Sequence, residues 1–223
     1  AAAFASRHEL PTPVVVPNTM AAATAFAPRP GTGRLLFVGN LTYAPNEEAA
    51  AILAREVLPL VRAARPPATL ELVGAPSPAV QSLDGNPGVR VRGFVPDLAP
   101  EYAAADVVVV PLVDGAGTRI KVLEAFAHRR PVVATPAAVA GLAVTDGVDV
   151  LLAHTPPELA RAVERVLADP GLADALVTAA AATLDEHYAP RVVAPIVRRV
   201  VLGDGAPEGG APDGRMPDEG SAR

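Results

Sequence analysis

Four consecutive valines, Val107–Val110, stand between Asp106 and Pro111. A strand that faces water on one side alternates apolar and polar residues. An unbroken β-branched run is apolar on both faces and belongs in a parallel sheet covered by helices on both sides. The rest of the chain fits that frame. Leu35-Leu36-Phe37-Val38 stops at Gly39, Thr69–Val73 stops at Gly74, and Val89–Val91 runs on to Gly93. Asp106–Val110 reads as the fourth strand, Pro131–Ala134 as the fifth and Val148–Leu152 as the sixth. Helical spacing fills the gaps. Glu47–Ala64 places Ala50, Leu53, Val57, Leu58 and Val61 on one face behind Asn46 as N-cap. Short helical segments follow at Leu98–Ala105, capped by Asp97, and at Thr118–His128, capped by Thr118. Pro157–Ala168, Gly171–His187 and Ala189–Leu202 close the series. Alternating strand and helix predicts an α/β fold with a doubly wound parallel sheet and C-terminal helices.

Composition narrows the function. Half of the 223 residues are hydrophobic but only 4% are aromatic, so Ala, Val and Leu must build the core. Cysteine is absent, which excludes disulfides, a cysteine nucleophile and a thiolate zinc site. A net charge of −5 argues against a nucleic-acid partner. The longest apolar run, Ala103–Val113, is broken by Asp106 and Pro111 and falls short of the ~20 residues that span a bilayer. The N-terminus has no basic start followed by a hydrophobic stretch. The expectation is a cytoplasmic chain, one whose upstream part is missing because the sequence begins with Ala. Residues 1–33, with the short apolar run Val14–Val16 read as a strand, have the character of a linker. Residues 203–223, rich in Gly, Pro and Asp, have that of a disordered tail.

Ligands of an open parallel sheet bind beyond the carboxyl ends of its strands. After the fourth strand comes the densest polar group in the chain, Asp114-Gly115-Ala116-Gly117-Thr118-Arg119-Ile120-Lys121. Glycines let a backbone approach a ligand, and the helix that follows aims its free N–H groups at the same place. Arg119 and Lys121, the latter the only lysine among 19 basic residues, stand in its first turn. Cations there oppose the helix dipole, and a bound diphosphate would relieve the conflict. Glu124, one turn on, suits a pair of vicinal hydroxyls such as those of a ribose. The plainer alternative is a solvated helix face with Glu124 paired to Lys121. Neither a G-x-G-x-x-G fingerprint nor a Walker A sequence is present, which argues against a dinucleotide oxidoreductase and a P-loop enzyme.

The segment Gly115–Leu142, GAGTRIKVLEAFAHRRPVVATPAAVAGL, resembles the donor-site block of the family 4 glycosyltransferases, which have the GT-B fold. LLFVGNLTYAPN from Leu35, LELVGAPSP from Leu70 and VRGFVPDLAPEYAAADVVVVPL from Val91 are similar to further blocks, in the family's order and spacing. The resemblance covers residues 14–202 and implies a Rossmann-like GT-B half-domain, the C-terminal half that binds a nucleoside-diphosphate sugar. Residues 34–188 would be that domain, residues 1–33 the interdomain connection, and residues 189–202 the crossover helix. By the same resemblance Glu124 would bind the ribose, Gly39 would sit against the phosphates, and Phe94 and Val95 would border the base. Gly117 and Thr118 would offer backbone N–H groups, with Arg119 and Lys121 near the diphosphate. The chain departs from the family pattern at Ala116, where a first glutamate is usual, and at Arg129, where a glycine is usual. Ala138 and Ala140 replace frequent Gly and Glu residues.

The activity implied is transfer of a sugar to the hydroxyl of a glycan, lipid or small-molecule acceptor. The alternatives are a non-catalytic nucleotide-sugar-binding fragment and a GT-B-type epimerase. No catalytic residue is assigned. No metal or other cofactor is required, because the helix terminus with Arg119 and Lys121 can offset a diphosphate. The histidines (His8, His128, His154 and His187) form no constellation and read as surface or capping groups. Asp97 and Glu101 could be acid and base, although Asp97 reads more simply as a cap. Arg191, Arg198 and Arg199 would decorate a helix that packs on the other half; contact with an anionic membrane surface is the alternative.

Overall fold

The computed structural model describes residues 14–23, 27–113 and 118–202. His8, Gly117 and the expected tail at 203–223 lie outside them. Two compact units emerge, Pro17–Val193 and a second whose described part is Val14–Val16 with Ala194–Leu202. Val14–Val16, expected as a strand, is irregular.

The larger unit is built on six parallel strands. They are β1 (Arg34–Val38), β2 (Thr69–Val73), β3 (Val89–Gly93), β4 (Val107–Val110), β5 (Val132–Ala134) and β6 (Leu151–Leu152), in the order β3-β2-β1-β4-β5-β6. Every neighbouring pair is parallel, with Leu35 opposite Leu70 on one side and Val107 on the other. That order is the doubly wound, Rossmann-like arrangement, with its reversal between β1 and β4. All four valines of β4 are buried, as a strand covered on both faces requires. β6 is shorter than the sequence suggests. Asp149 instead accepts bonds from the Thr145 N–H and the Thr183 hydroxyl, which fastens a turn just ahead of it.

The first helical segment starts at Ala44, three residues ahead of the expected point. It runs as α1 (Ala44–Ile52), a π-helical turn (Leu53–Val57) and α2 (Leu58–Ala64). Pro45 opens it, in the first turn where a missing N–H costs nothing. Pro59 lacks the N–H that would continue the ladder, and the wider turn just before it, closed by Leu58 N–H to the Leu53 carbonyl, absorbs the break. The face foreseen from spacing is the buried one: Ala50, Leu53, Val57, Leu58 and Val61 are at most 1% exposed.

Two short helices were not anticipated, α3 (Pro78–Gln81) and α6 (Pro136–Val139). The others are α4 (Ala99–Ala103), α5 (Ile120–Ala127), α7 (Pro156–Ala168), α8 (Pro170–His187) and α9 (Pro190–Leu202). Helix α7 packs on β4, β5 and β6, and α5 packs on β5 and α8. The N-cap of α4 is Leu98, not Asp97, because the helix starts one residue later than expected; Asp97 stands just ahead of it, its Oδ1 accepting from the Ala99 N–H at 2.9 Å.

The larger unit also takes in residues 17–33, wider than the domain read from the sequence. Backbone bonds Met20 N–H to Tyr188 carbonyl and Ala23 N–H to Ala127 carbonyl hold that stretch. Asp106, fully buried at the foot of β4, gathers the N–H groups of Gly31, Gly33 and Arg34 at 2.7–3.0 Å and the Thr32 hydroxyl at 3.1 Å. Composition made this segment resemble a linker. Its order comes from hydrogen bonds to residues about a hundred positions away, which no local pattern records.

Candidate functional site

A cleft of about 260 Å³ opens where the sheet order reverses. Val38, Gly39, Asn40, Tyr43, Pro45 and Asn46 line it from the end of β1, and Leu112, Thr118, Arg119, Ile120, Lys121 and Glu124 from beyond β4. At the bottom of one wall two glycines meet. Gly74 sits at φ 133°, and a Cβ there would fall 1.7 Å from the Gly39 carbonyl oxygen. A Cβ on Gly39 would lie 3.0 Å from the Asn46 Nδ2. Gly74 therefore needs glycine for close backbone approach, whereas a side chain at Gly39 would press on Asn46. On the other wall the Thr135 hydroxyl donates to the Leu112 carbonyl and fixes the chain as it leaves β4.

Helix α5 begins at Ile120, and its N-cap is Arg119, not Thr118. Arg119 adopts a left-handed conformation, φ 43° and ψ 21°, and no side chain caps the helix. A non-glycine residue held there stores on the order of 1–3 kcal/mol, and such strain gathers at binding and catalytic sites. Thr118 is exposed, and its carbonyl accepts from Asn18 Nδ2 at 2.7 Å.

Lys121 is not on a solvated face. Its ammonium donates to the Asn46 Oδ1 at 2.9 Å and lies 5.4 Å from the centroid of the buried Phe37 ring. Burial, with the neighbouring Arg119 charge, lowers its pKa from the ordinary lysine value, against the pull of Glu124. Nor does Glu124 pair with Lys121 by a direct contact. Its Oε2 accepts from the Tyr102 hydroxyl at 3.3 Å. Burial raises the Glu124 pKa above the usual carboxylate range, while the Tyr102 bond and Lys121 pull it down. Both charges are thus held partly out of water, at a cost that an ordinary surface pair would not carry.

Asn46 is the site residue that spacing misread. It was expected to cap a helix, but it is buried inside the first turn of α1. Its Nδ2 donates to the Asn40 carbonyl at 2.8 Å, which aims its Oδ1 at Lys121. The signal available was slight: Asn46 is the uncharged polar residue among Ala44, Pro45, Glu47 and Glu48 at the start of α1.

Other residues singled out from the sequence fall elsewhere. Phe94, 77% exposed, and Val95 follow β3 and do not line this cleft. Glu101 is buried in an ion-pair cluster with Arg34 at 2.6 Å and Arg92 at 3.1 Å, away from the cleft. His128 stacks flat on Tyr102 at 4.5 Å, and the His154 backbone N–H donates to Glu158. Arg191 pairs with Asp185, and His187 lies 4.0 Å from Glu186.

The model for the glycosyl transferases group 1 family matches residues 32–169. The chain belongs to that family. A search of curated proteins found no relative of this group 1 glycosyltransferase chain. Solved structures share its fold. Staphylococcus aureus TarM, in complex with fondaparinux, alpha-GlcNAc-glycerol and UDP, aligns with 82% of this chain and 37% of its own at TM-score 0.60 and 16% identity. Anabaena HepE, with UDP and glucose, aligns with 77% of this chain and 48% of its own at TM-score 0.61 and 18% identity. The C-terminal domain of LpcC from Francisella tularensis aligns over 76% of this chain and 95% of its own, at TM-score 0.56 and 18% identity. The chain thus spans between a third and a half of TarM and HepE and nearly all of one C-terminal domain. Its architecture is that of one half of a GT-B glycosyltransferase.

Proposed function

We propose that this chain binds a nucleoside-diphosphate sugar and supplies the donor half of a glycosyltransferase. The observation that carries the proposal is the convergence of Arg119, Lys121 and Glu124 on one cleft at the switch point of the sheet. Arg119 and Lys121, with the free N–H groups of α5, would face the diphosphate. They would act most strongly as the glycosidic bond breaks and charge develops on the leaving phosphate. Glu124 would accept the ribose hydroxyls. The UDP in the TarM and HepE structures supports a uridine nucleotide as the first ligand to try.

A second reading is donor binding without transfer by this chain alone. Among the described residues lining the cleft, Glu124 is the only carboxylate and no histidine appears, so an acid or base would have to come from elsewhere. Water exclusion and acceptor orientation would likewise need a second wall.

Calorimetric titration with UDP, GDP and their glucose and N-acetylglucosamine conjugates tests the binding claim. Nucleoside diphosphates should bind well above the free nucleosides, and Arg119→Ala should weaken them about tenfold or more, the loss of one charge-assisted bond. Equal affinity for UDP and uridine, or an Arg119→Ala protein that binds UDP unchanged, would remove the anion site. A transfer assay with mixed glycan, lipid and small-molecule acceptors separates enzyme from binding module.

A further inference from the structure

Tyr102 is wholly buried on α4, yet it carries a hydroxyl, and a buried hydroxyl needs a partner. Its partner is Glu124 Oε2 at 3.3 Å, across from a different helix. Everything else about Tyr102 is fixed. Arg130, itself buried, donates Nε to the Tyr102 carbonyl at 2.6 Å and Nη2 to the Ala103 carbonyl at 3.0 Å. His128 lies flat on the ring, 4.5 Å between centroids and 5° between planes. The phenol is therefore a rigid donor aimed at the one carboxylate that lines the cleft among the described residues.

We infer that Tyr102 is a positioning residue for Glu124, its hydroxyl fixing the rotation of the carboxylate so that the remaining acceptor sites meet a ribose diol. The inference rests on the ribose role proposed above for Glu124. A carboxylate offers about four acceptor directions. The phenol takes one, which leaves the second oxygen and one lone pair of Oε2. A freely rotating carboxylate would first have to give up that freedom when the ligand arrives, so pinning it beforehand lowers the cost of binding. Donation to the ionised form also opposes the burial that raises the Glu124 pKa. The other charge acting on Glu124 is Lys121, one turn back on α5, and it favours the carboxylate; Arg119 lines the same cleft.

Tyr102→Phe keeps the ring on His128 and removes only the donor. The probes are UDP and GDP, each beside its 2′-deoxy form, with inorganic pyrophosphate as the ligand that lacks a ribose. Titrations run from pH 5 to 8, and a cooperative melting transition checks the fold. Tyr102→Phe should weaken the better-bound diphosphate three- to tenfold and shrink its advantage over the 2′-deoxy form, leaving pyrophosphate unchanged. Acid loss of affinity should also begin at higher pH, because Glu124 protonates more easily without the phenol. In a Glu124→Gln background Tyr102→Phe should add little further loss of affinity for the same diphosphate. That double variant carries no ionised carboxylate, so it stays measurable if the single variant folds poorly. Equal loss for diphosphate and pyrophosphate, an unmoved pH profile, or additive effects in the double variant would overturn the positioning role while leaving the ribose role of Glu124 intact. A Glu124→Gln protein that still favours ribose over 2′-deoxyribose would overturn both.

Discussion

Lys121→Met is the most informative single change, because it keeps the length of the side chain over Phe37 and deletes only its charge. Among the described residues the ammonium donates one hydrogen bond, to Asn46 at 2.9 Å, and has an aromatic face at 5.4 Å. An ammonium carries three donors, so this bond does not exhaust it. One charge-assisted bond to a phosphate oxygen is worth about 1.5–3 kcal/mol. At 1.4 kcal/mol per decade that becomes a loss of roughly 10- to 150-fold in UDP affinity. Uridine, with no phosphate, should bind both proteins alike. The pH dependence has a definite sign. Burial and Arg119 depress the Lys121 pKa in the free protein, and a diphosphate would raise it again, so binding at alkaline pH takes up a proton. The advantage of the wild type over Lys121→Met should hold at neutral pH and narrow as pH rises through that depressed pKa, below the ordinary 10.5. Calorimetry in buffers of different ionisation enthalpy reads the proton uptake directly. A Lys121→Met protein with wild-type affinity for UDP at pH 7 would refute the reasoning.

Gly74→Ala should cost about 2–4 kcal/mol by urea denaturation, since the new methyl meets the Gly39 carbonyl at 1.7 Å in a left-handed backbone, and it should weaken UDP by displacing Gly39. A stability change under 0.5 kcal/mol would contradict the close approach. Glu124→Gln should raise the melting temperature near pH 7 while losing ribose discrimination. The folded pKa of Glu124 lies above 4.5, so its favourable contribution is present below 4.5 and lost as pH rises through the folded value. The gain from Gln should accordingly vanish in scans run below pH 4.5. Arg129→Gly should stabilise the fold by about 1 kcal/mol in thermal melts, because Arg129 sits at φ 55° just after the C-cap of α5, where glycine adopts the geometry without strain.

The central strands were readable because burial on both faces leaves uninterrupted apolar runs, and five of the six strands begin and end within two residues of where the pattern placed them. The cationic helix start was readable for a related reason: Arg119 and Lys121 contradict the dipole, and contradictions between local rules mark functional sites. What the sequence concealed was set by distant partners. Asn46 has the letter of a cap but bonds to Lys121, 75 positions away. Tyr102 carries no local signal of its role, because its hydroxyl partner lies 22 positions on. The N-terminal stretch has linker composition, yet Met20, Ala23, Gly31 and Gly33 are held by Tyr188, Ala127 and Asp106. Arg129 stands where the family pattern has glycine, and its φ of 55° is one that glycine adopts without strain.

Asp106 binds the foot of β4 to the foot of β1, and those two strands carry the opposing lips of the cleft at their other ends. They behave as jaws riveted at the root. Pairing of Leu35 with Val107 and Leu36 with Val108 holds the two strands side by side beneath the cleft. Tyr43 and Ile120 line the cleft above that anchored base, and each is more than two-fifths exposed. If the cleft takes the proposed donor, substitutions meant to alter its choice should begin with those two residues and leave the sheet beneath them alone.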